Sequence, residues 1–184
     1  MSKSALIIVA DGTEEIELVI VADILRRVGV AVTIAGLSDR KTILCAQGIS
    51  LNVDLGLSEV VDKVFDAVVL PGGQPGSDSL ASDERVGEIL RRHESDGRVI
   101  GAICAAPLAI KRHGIGRGGV LTSYPSVREE LTGAGYVYSE DRVSVCKNMI
   151  TSRGPGTAFD FVLEIVRCLV GDGQAISIRR DMLI

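Results

Sequence analysis

Three short runs of apolar residues constrain this chain more than anything else in it: residues 5–10, 67–70 and 99–103. Each is too short for an ordinary helix and lacks in–out alternation, as expected of parallel strands covered on both faces. Each leads through a turn towards a helix-like stretch. Strands and helices in alternation give an α/β sandwich around a mainly parallel sheet. At 184 residues the chain suits a single domain, 1–184, with a full core.

The first helix is expected over 14–28, stopped by Gly29, with Ile16, Ile20, Ile24 and Val28 as its buried stripe. Residues 18–22 are apolar at five consecutive positions, so this helix needs cover on a second side, such as a subunit interface. A strand over 30–35 precedes a hairpin over 42–45 and 49–53 around Gln47-Gly48. Further helices are predicted over 57–64 and 83–94, a strand over 120–123, and a short helix over 126–131. A strand pair over 143–146 and 149–151 follows. The last long helix carries Ala158, Val162, Ile165 and Leu169 on one face, and the tail, 175–184, reads as a short docked helix.

The run at 99–103 ends on Cys104, and Ala105-Ala106-Pro107 then opens a helix over 108–113 closed by Gly114. Strand, tight turn and helix with a thiol at the turn form a nucleophile elbow, in which Ala102 and Ala106 let the elements approach closely. The positive end of the helix dipole favours thiolate. A buried core cysteine is the alternative reading. Gly72-Gly73, after the run at 67–70, either frees N–H groups for a ligand or makes an ordinary strand-end turn. Its spacing is neither that of a dinucleotide fingerprint nor of a P-loop. Ligands of such sheets bind beyond the carboxyl ends of the strands. The loop before Glu14–Glu17, the Gly72-Gly73 turn and Cys104 all fall there, and that convergence favours a functional thiol.

A net charge of −4 without a basic block argues against a dedicated nucleic-acid surface. No apolar stretch approaches a membrane span, and the start lacks a signal-peptide pattern. A cytoplasmic protein is expected, with nucleus or mitochondria as further compartments. Cys45, Cys104, Cys146 and Cys168 are too widely spaced for a zinc pattern, and disulfides are not the default in such a compartment. His93 and His113 read as solvated residues at helix ends. Neither a metal nor a cofactor is expected.

Four motifs in this order make the sequence recognisable: Glu14-Glu15-Ile16-Glu17, Leu70-Pro71-Gly72-Gly73, Ala102-Ile103-Cys104-Ala105-Ala106-Pro107 and Thr151-Ser152-Arg153-Gly154-Pro155-Gly156-Thr157. Over nearly its whole length the chain resembles the parkinsonism-associated protein deglycase and glyoxalase III family of the ThiJ/PfpI superfamily. The resemblance implies a flavodoxin-like homodimer with the helix over 14–28 at the interface. It makes Cys104 the nucleophile and Glu17 its acid/base partner. Gly72, Gly73 and Ala105 would bind the substrate oxygen, Tyr124 would line the site, and Pro155 would line the neighbouring subunit's pocket.

Two positions depart from better-known members. Tyr124 replaces a histidine, and a phenol is a poor base at neutral pH. Gln47 stands where an arginine is expected near the dimer interface. Ala105 lacks the histidine that follows the nucleophile in the protease-like branch, and no histidine occurs after His113 for an amidotransferase site. The reading is a Cys–Glu site that converts a reactive dicarbonyl such as methylglyoxal to lactate without a cofactor. The alternatives are a redox-sensing stress-response chaperone acting through oxidation of Cys104, and a non-catalytic interaction protein.

Overall fold

Glycine, proline and charged residues cut the chain into short elements, which the computed structural model describes for residues 2–184. Strand β1 (Ser4–Val9) leads into helix α1 (Glu15–Arg27), followed by β2 (Ala31–Gly36). The hairpin β3 (Thr42–Leu44) and β4 (Ser50–Asn52) precedes a two-residue strand, β5 (Leu55–Gly56). Next come β6 (Ala67–Leu70), α2 (Gly76–Ser82), α3 (Glu84–Ser95), β7 (Val99–Ile103) and α4 (Pro107–His113). The remainder comprises β8 (Val120–Leu121), α5 (Arg128–Gly133), β9 (Val137–Tyr138), the hairpin β10 (Val143–Cys146) and β11 (Met149–Ser152), then α6 (Ala158–Val170) and α7 (Asp172–Asp181).

The central sheet has seven strands in the order β10-β11-β7-β6-β1-β2-β5, parallel throughout except for β10 against β11. Alternate residues of its strands face two separate apolar clusters. Leu6, Ile8, Val68, Leu70 and Ile100 pack with Leu80, Ile89 and Ile110 on the side of α2, α3 and α4. Ala5, Ile7, Val9 and Val69 pack with Leu18, Leu25, Phe161 and Ile165 on the side of α1 and α6. This is a flavodoxin-like three-layer sandwich. The chain runs outward from β1 to β2 and β5, then returns to β6 on the other side. The order therefore reverses between β1 and β6, and that switch point opens a crevice at their carboxyl ends.

Several sequence expectations change. On α1 the sheet-facing residues are Leu18, Val21, Ile24 and Leu25, whereas Ile16 is 49% exposed and Ile20 only partly buried. The helix is apolar on both sides, so spacing alone did not identify which side meets the sheet. The helix expected over 57–64 is a short 3-10 turn, Leu57–Glu59. Beyond that turn the Arg92 guanidinium of α3 donates to the Val61 (2.6 Å) and Lys63 (3.2 Å) carbonyls and ties the segment to that helix. His93 and His113 are buried rather than solvated. His93 Nδ1 bonds the Ile89 carbonyl at 2.8 Å, and Gly87, with no side chain, admits the His113 ring. Burial holds both imidazoles below the usual histidine range.

Candidate active site

Strand β7 ends at Ile103, and the next residue, Cys104, stands at φ +64. For a residue with a side chain this left-handed conformation costs about 1–3 kcal/mol and needs support from its surroundings. The Cys104 N–H donates to the Ser152 carbonyl at the end of β11 (3.0 Å), and its own carbonyl accepts the Tyr124 N–H (2.8 Å). Ala106 N–H closes the turn onto the Ile103 carbonyl at 3.0 Å. Pro107 starts α4, where its missing N–H would be unpaired in any case. The elbow expected from the sequence is thus a strained residue held at both ends.

The turn after β6 forms the facing wall. A Cβ on Gly72 would lie 2.5 Å from the Cys104 Cβ and 2.8 Å from Glu17 Oε2. Only glycine lets these two side chains meet there. Gly73, at φ +88, packs against the backbone of Gly12 to Glu14, and the Glu14 N–H donates to the Gly72 carbonyl at 2.9 Å. The loop after β1 and the turn after β6 are therefore joined by backbone contacts at the switch point, with Glu17 entering from the first turn of α1.

Glu17 is fully buried. Its Oε2 accepts the Gly72 N–H at 2.7 Å, while Oε1 is buried without a conventional partner. Burial raises its pKa from 4.5 to about 7, against the smaller opposing pull of the Gly72 N–H and of a hydrogen bond with Cys104. A carboxyl in that range holds or releases a proton near neutrality. The thiol responds in kind. Burial pushes Cys104 up to about 12, and the adjacent Glu17 charge pushes the same way, while the Gly73 and Ala105 N–H groups act in favour of thiolate.

Two readings of the sequence change here. Burial beside a carboxylate opposes the thiolate that the start of α4 was expected to favour, although the Ala105 N–H there still acts for it. If the proton passes to Glu17, its repulsion of the sulfur disappears and its O–H can donate to the thiolate. Gly72 likewise has a different part from the one expected. Its N–H is committed to Glu17 and is not free for a substrate oxygen, whereas the Gly73 and Ala105 N–H groups converge on the sulfur.

Tyr124 and Pro155 lie together. They share an open cavity of about 360 Å³ with Arg142, Arg153 and Gly154, and Tyr124 is 48% exposed. Tyr124 touches the elbow through its backbone N–H. A larger cavity of about 750 Å³ is lined by Arg40, Cys45, Gln74 and Pro75 rather than by Cys104. Among the described residues no three His, Cys, Asp or Glu side chains gather where they could hold a metal ion. Sequence reasoning missed Ser152, whose carbonyl anchors the Cys104 N–H. The parallel pairing of β11 with β7 could not be read from local pattern.

Comparison with known proteins bears on the same residues. The sequence profile described as the DJ-1/PfpI family matches residues 3–168. The chain belongs to the DJ-1/PfpI family. It is 44% identical to the Drosophila melanogaster protein dj-1beta, over all of this chain and 98% of that one. It is 40% identical to the Caenorhabditis elegans protein named glutathione-independent glyoxalase DJR-1.2, over 98% of this chain and 96% of that one. The crystal structure of Drosophila melanogaster DJ-1beta superposes with a TM-score of 0.97, covering 100% of this chain and 99% of that one at 44% identity. The oxidized form of Toxoplasma gondii DJ-1 superposes at 0.92, covering 99% and 98% at 31% identity. These neighbours share the flavodoxin-like fold. No helix among the described residues is long and apolar enough to cross a membrane.

Proposed function

We propose that this protein is a cofactor-independent glyoxalase acting on small dicarbonyls such as methylglyoxal, with Cys104 as nucleophile and Glu17 as proton carrier. The observation that carries the reading is the buried Glu17 carboxyl, with a pKa of about 7, meeting the strained Cys104 across Gly72. The sulfur adds to the aldehyde carbon as Glu17 takes the thiol proton, and the oxygen of the new hemithioacetal is met by the Gly73 and Ala105 N–H groups. Glu17 returns that proton to the hemithioacetal oxygen, and the freed carboxylate then moves a proton from the former aldehyde carbon to the neighbouring one through an enediol. Water cleaves the resulting thioester and releases lactate with the free thiol. The name of the C. elegans relative supports the substrate class. Lactate formation and its chirality, measured for wild type and Cys104→Ala, test this; full activity in the variant rejects the mechanism.

A second reading is redox sensing, supported by the oxidized Toxoplasma gondii neighbour and by the N–H groups directed at the sulfur. A protonated Glu17 would hydrogen-bond a sulfinate and stall oxidation there. With graded peroxide and intact-mass analysis, Cys104 gains two oxygens before Cys45, Cys146 or Cys168. Earlier oxidation of another cysteine removes this reading.

We further infer a homodimer through α1. Ile16 and Val19, each 49% exposed, stand on α1, and the exposed Ile49 stands on the hairpin that the buried Glu15 carboxylate docks onto α1 by accepting the Gln47 (3.0 Å) and Ile49 (3.5 Å) N–H groups. Isolated apolar residues need no partner, but a contiguous patch does. Sedimentation analysis should give a dimer for wild type and a folded monomer for Val19→Asp; a wild-type monomer excludes the arrangement.

A further inference from the structure

A second chemistry-bearing cluster lies at the opposite end of the sheet. The Ile100 N–H donates to the Asn148 carbonyl at 2.9 Å, which puts the β10–β11 turn at the amino end of β7. Cys104 follows its carboxyl end, about 15 Å away for a strand of this length. At the amino end a cavity of about 510 Å³ is walled by the glycine-rich loop Ile115-Gly116-Arg117-Gly118-Gly119, by Cys146 and Lys147, and by Glu94 and Met149. That volume is in the range of small-ligand sites.

Three features define what this cavity would take. Arg117 and Lys147, both exposed, line it, and among the described residues neither enters an ion pair. The carboxylate on the wall, Glu94, is already engaged by the Gly116 N–H at 2.6 Å. Cys146 is half-buried, and a Cβ on Gly119 would stand 3.1 Å from its sulfur, so the absent side chain leaves the thiol facing the loop. Lys147 stands at φ +55, a conformation fixed by the hairpin turn rather than one that lysine prefers. Two cations without an ion pair thus line the same cavity as a thiol.

We propose that this cavity recognises an anionic low-molecular-mass disulfide, a peptide disulfide bearing carboxylates, and that Cys146 exchanges with it. Arg117 and Lys147 bind the carboxylates. The Cys146 thiol releases its proton, and the sulfur attacks one sulfur of the ligand. The ligand's S–S bond breaks as the Cys146 S–S bond forms, and the departing thiolate takes up a proton. Cys146 is oxidised to a mixed disulfide while the other half of the ligand leaves as free thiol, so no further oxidant is needed. The site is independent of the chemistry assigned to Cys104.

The test uses the full chain carrying Cys104→Ala, which removes the competing thiol. Peptide mass mapping follows modification of Cys146, with the exposed Cys168 as reference. Three probes are compared at low ionic strength: glutathione disulfide (anionic), bis(2-hydroxyethyl) disulfide (neutral) and cystamine (cationic). Cys146 should react about tenfold faster with the anionic than with the cationic probe, and high salt should erase the difference. Adding Arg117→Gln and Lys147→Asn should abolish the preference while leaving the neutral probe's rate unchanged. Asparagine tolerates the left-handed backbone at 147, and the neutral probe reports whether the cavity survives. Equal rates for all three probes overturn the proposal, as does a double variant that slows all of them alike.

Discussion

Cys104 and Cys45 are both thiols beside a carboxylate of α1, and the two surroundings differ in what that carboxylate can do. Cys45, in the hairpin, is buried and pushed up to about 11 by burial and then by the charges of Glu15, Glu14 and Asp11. Glu15 is occupied: its oxygens accept the Gln47 N–H at 3.0 and 3.1 Å. It repels a thiolate at Cys45. Cys104 is pushed up as well, to about 12, yet its carboxylate partner has one oxygen without a conventional partner and a pKa of about 7. Burial next to negative charge makes a thiol inert unless the same carboxyl can carry the proton. In the proposed mechanism the Cys104 proton moves to Glu17, and the Gly73 and Ala105 N–H groups hold the charge left on sulfur.

The largest effect should come from exchanging the two thiols' roles by deletion. Cys104→Ala is expected to lower methylglyoxal turnover by about a thousandfold or more, since no other nucleophile reaches the Gly73–Ala105 donors. Cys45→Ala should retain turnover to within about twofold, because Cys45 has no such donors. Steady-state lactate formation checks both. A Cys45→Ala loss as deep as that of Cys104→Ala would break the comparison.

Next in size is Glu17→Gln, which keeps an acceptor for the Gly72 N–H but cannot carry a proton. Turnover should fall by about a hundred- to ten-thousandfold. Stability should move in the other direction. The folded pKa is raised from 4.5 to about 7, so between those values the folded protein binds more protons than the unfolded one, and wild-type stability falls as pH rises through that window. Glu17→Gln escapes this loss and should be more stable above pH 7 by up to about 3 kcal/mol. The gain should vanish below pH 4.5, where the carboxyl is protonated in both states. Urea unfolding at pH 4 and pH 8 measures it. An equal difference at both values would mean that Glu17 is not strained by its buried charge.

The parts of this comparison differ in how far they could be read from residues alone. The strands that place Cys104 and Gly72 are legible because a parallel strand covered on both faces must be apolar throughout. The sheet-facing side of α6 is legible too: Ala158, Val162, Ile165 and Leu169 are all buried. Helix α2 escapes notice because Gly76, Ser77, Asp78 and Ser79 are poor helix formers, and only Leu80, with Ala81 beside it, anchors it in the core. In the site, motif order identifies which residues to watch, but not their electrostatics. That Gly72 spends its N–H on Glu17, or that both Glu15 oxygens have partners where one Glu17 oxygen has none, depends on chain segments about 30 to 55 residues apart coming together. Local periodicity carries no information about such pairings.

The smallest expected effect isolates the charge at Cys45 from its burial. Glu15→Gln removes the second-ranked cause of the raised Cys45 pKa but leaves the first, burial, in place. The amide oxygen can still accept the Gln47 N–H, so the hairpin should remain docked, with a loss of about 1 kcal/mol from the weakened charge-assisted bond. Cys45 alkylation should therefore rise only a few-fold, from a slightly larger thiolate fraction, and turnover at Cys104 should be unchanged. Iodoacetamide labelling rates at several pH values, resolved by peptide, separate the outcomes. If Cys45 in this variant alkylates as fast as Cys104 in wild type, repulsion by an adjacent carboxylate would be the whole difference between the two thiols. If it stays slow, what sets Cys104 apart is a carboxyl free to exchange its proton, and not merely the absence of a fixed negative charge.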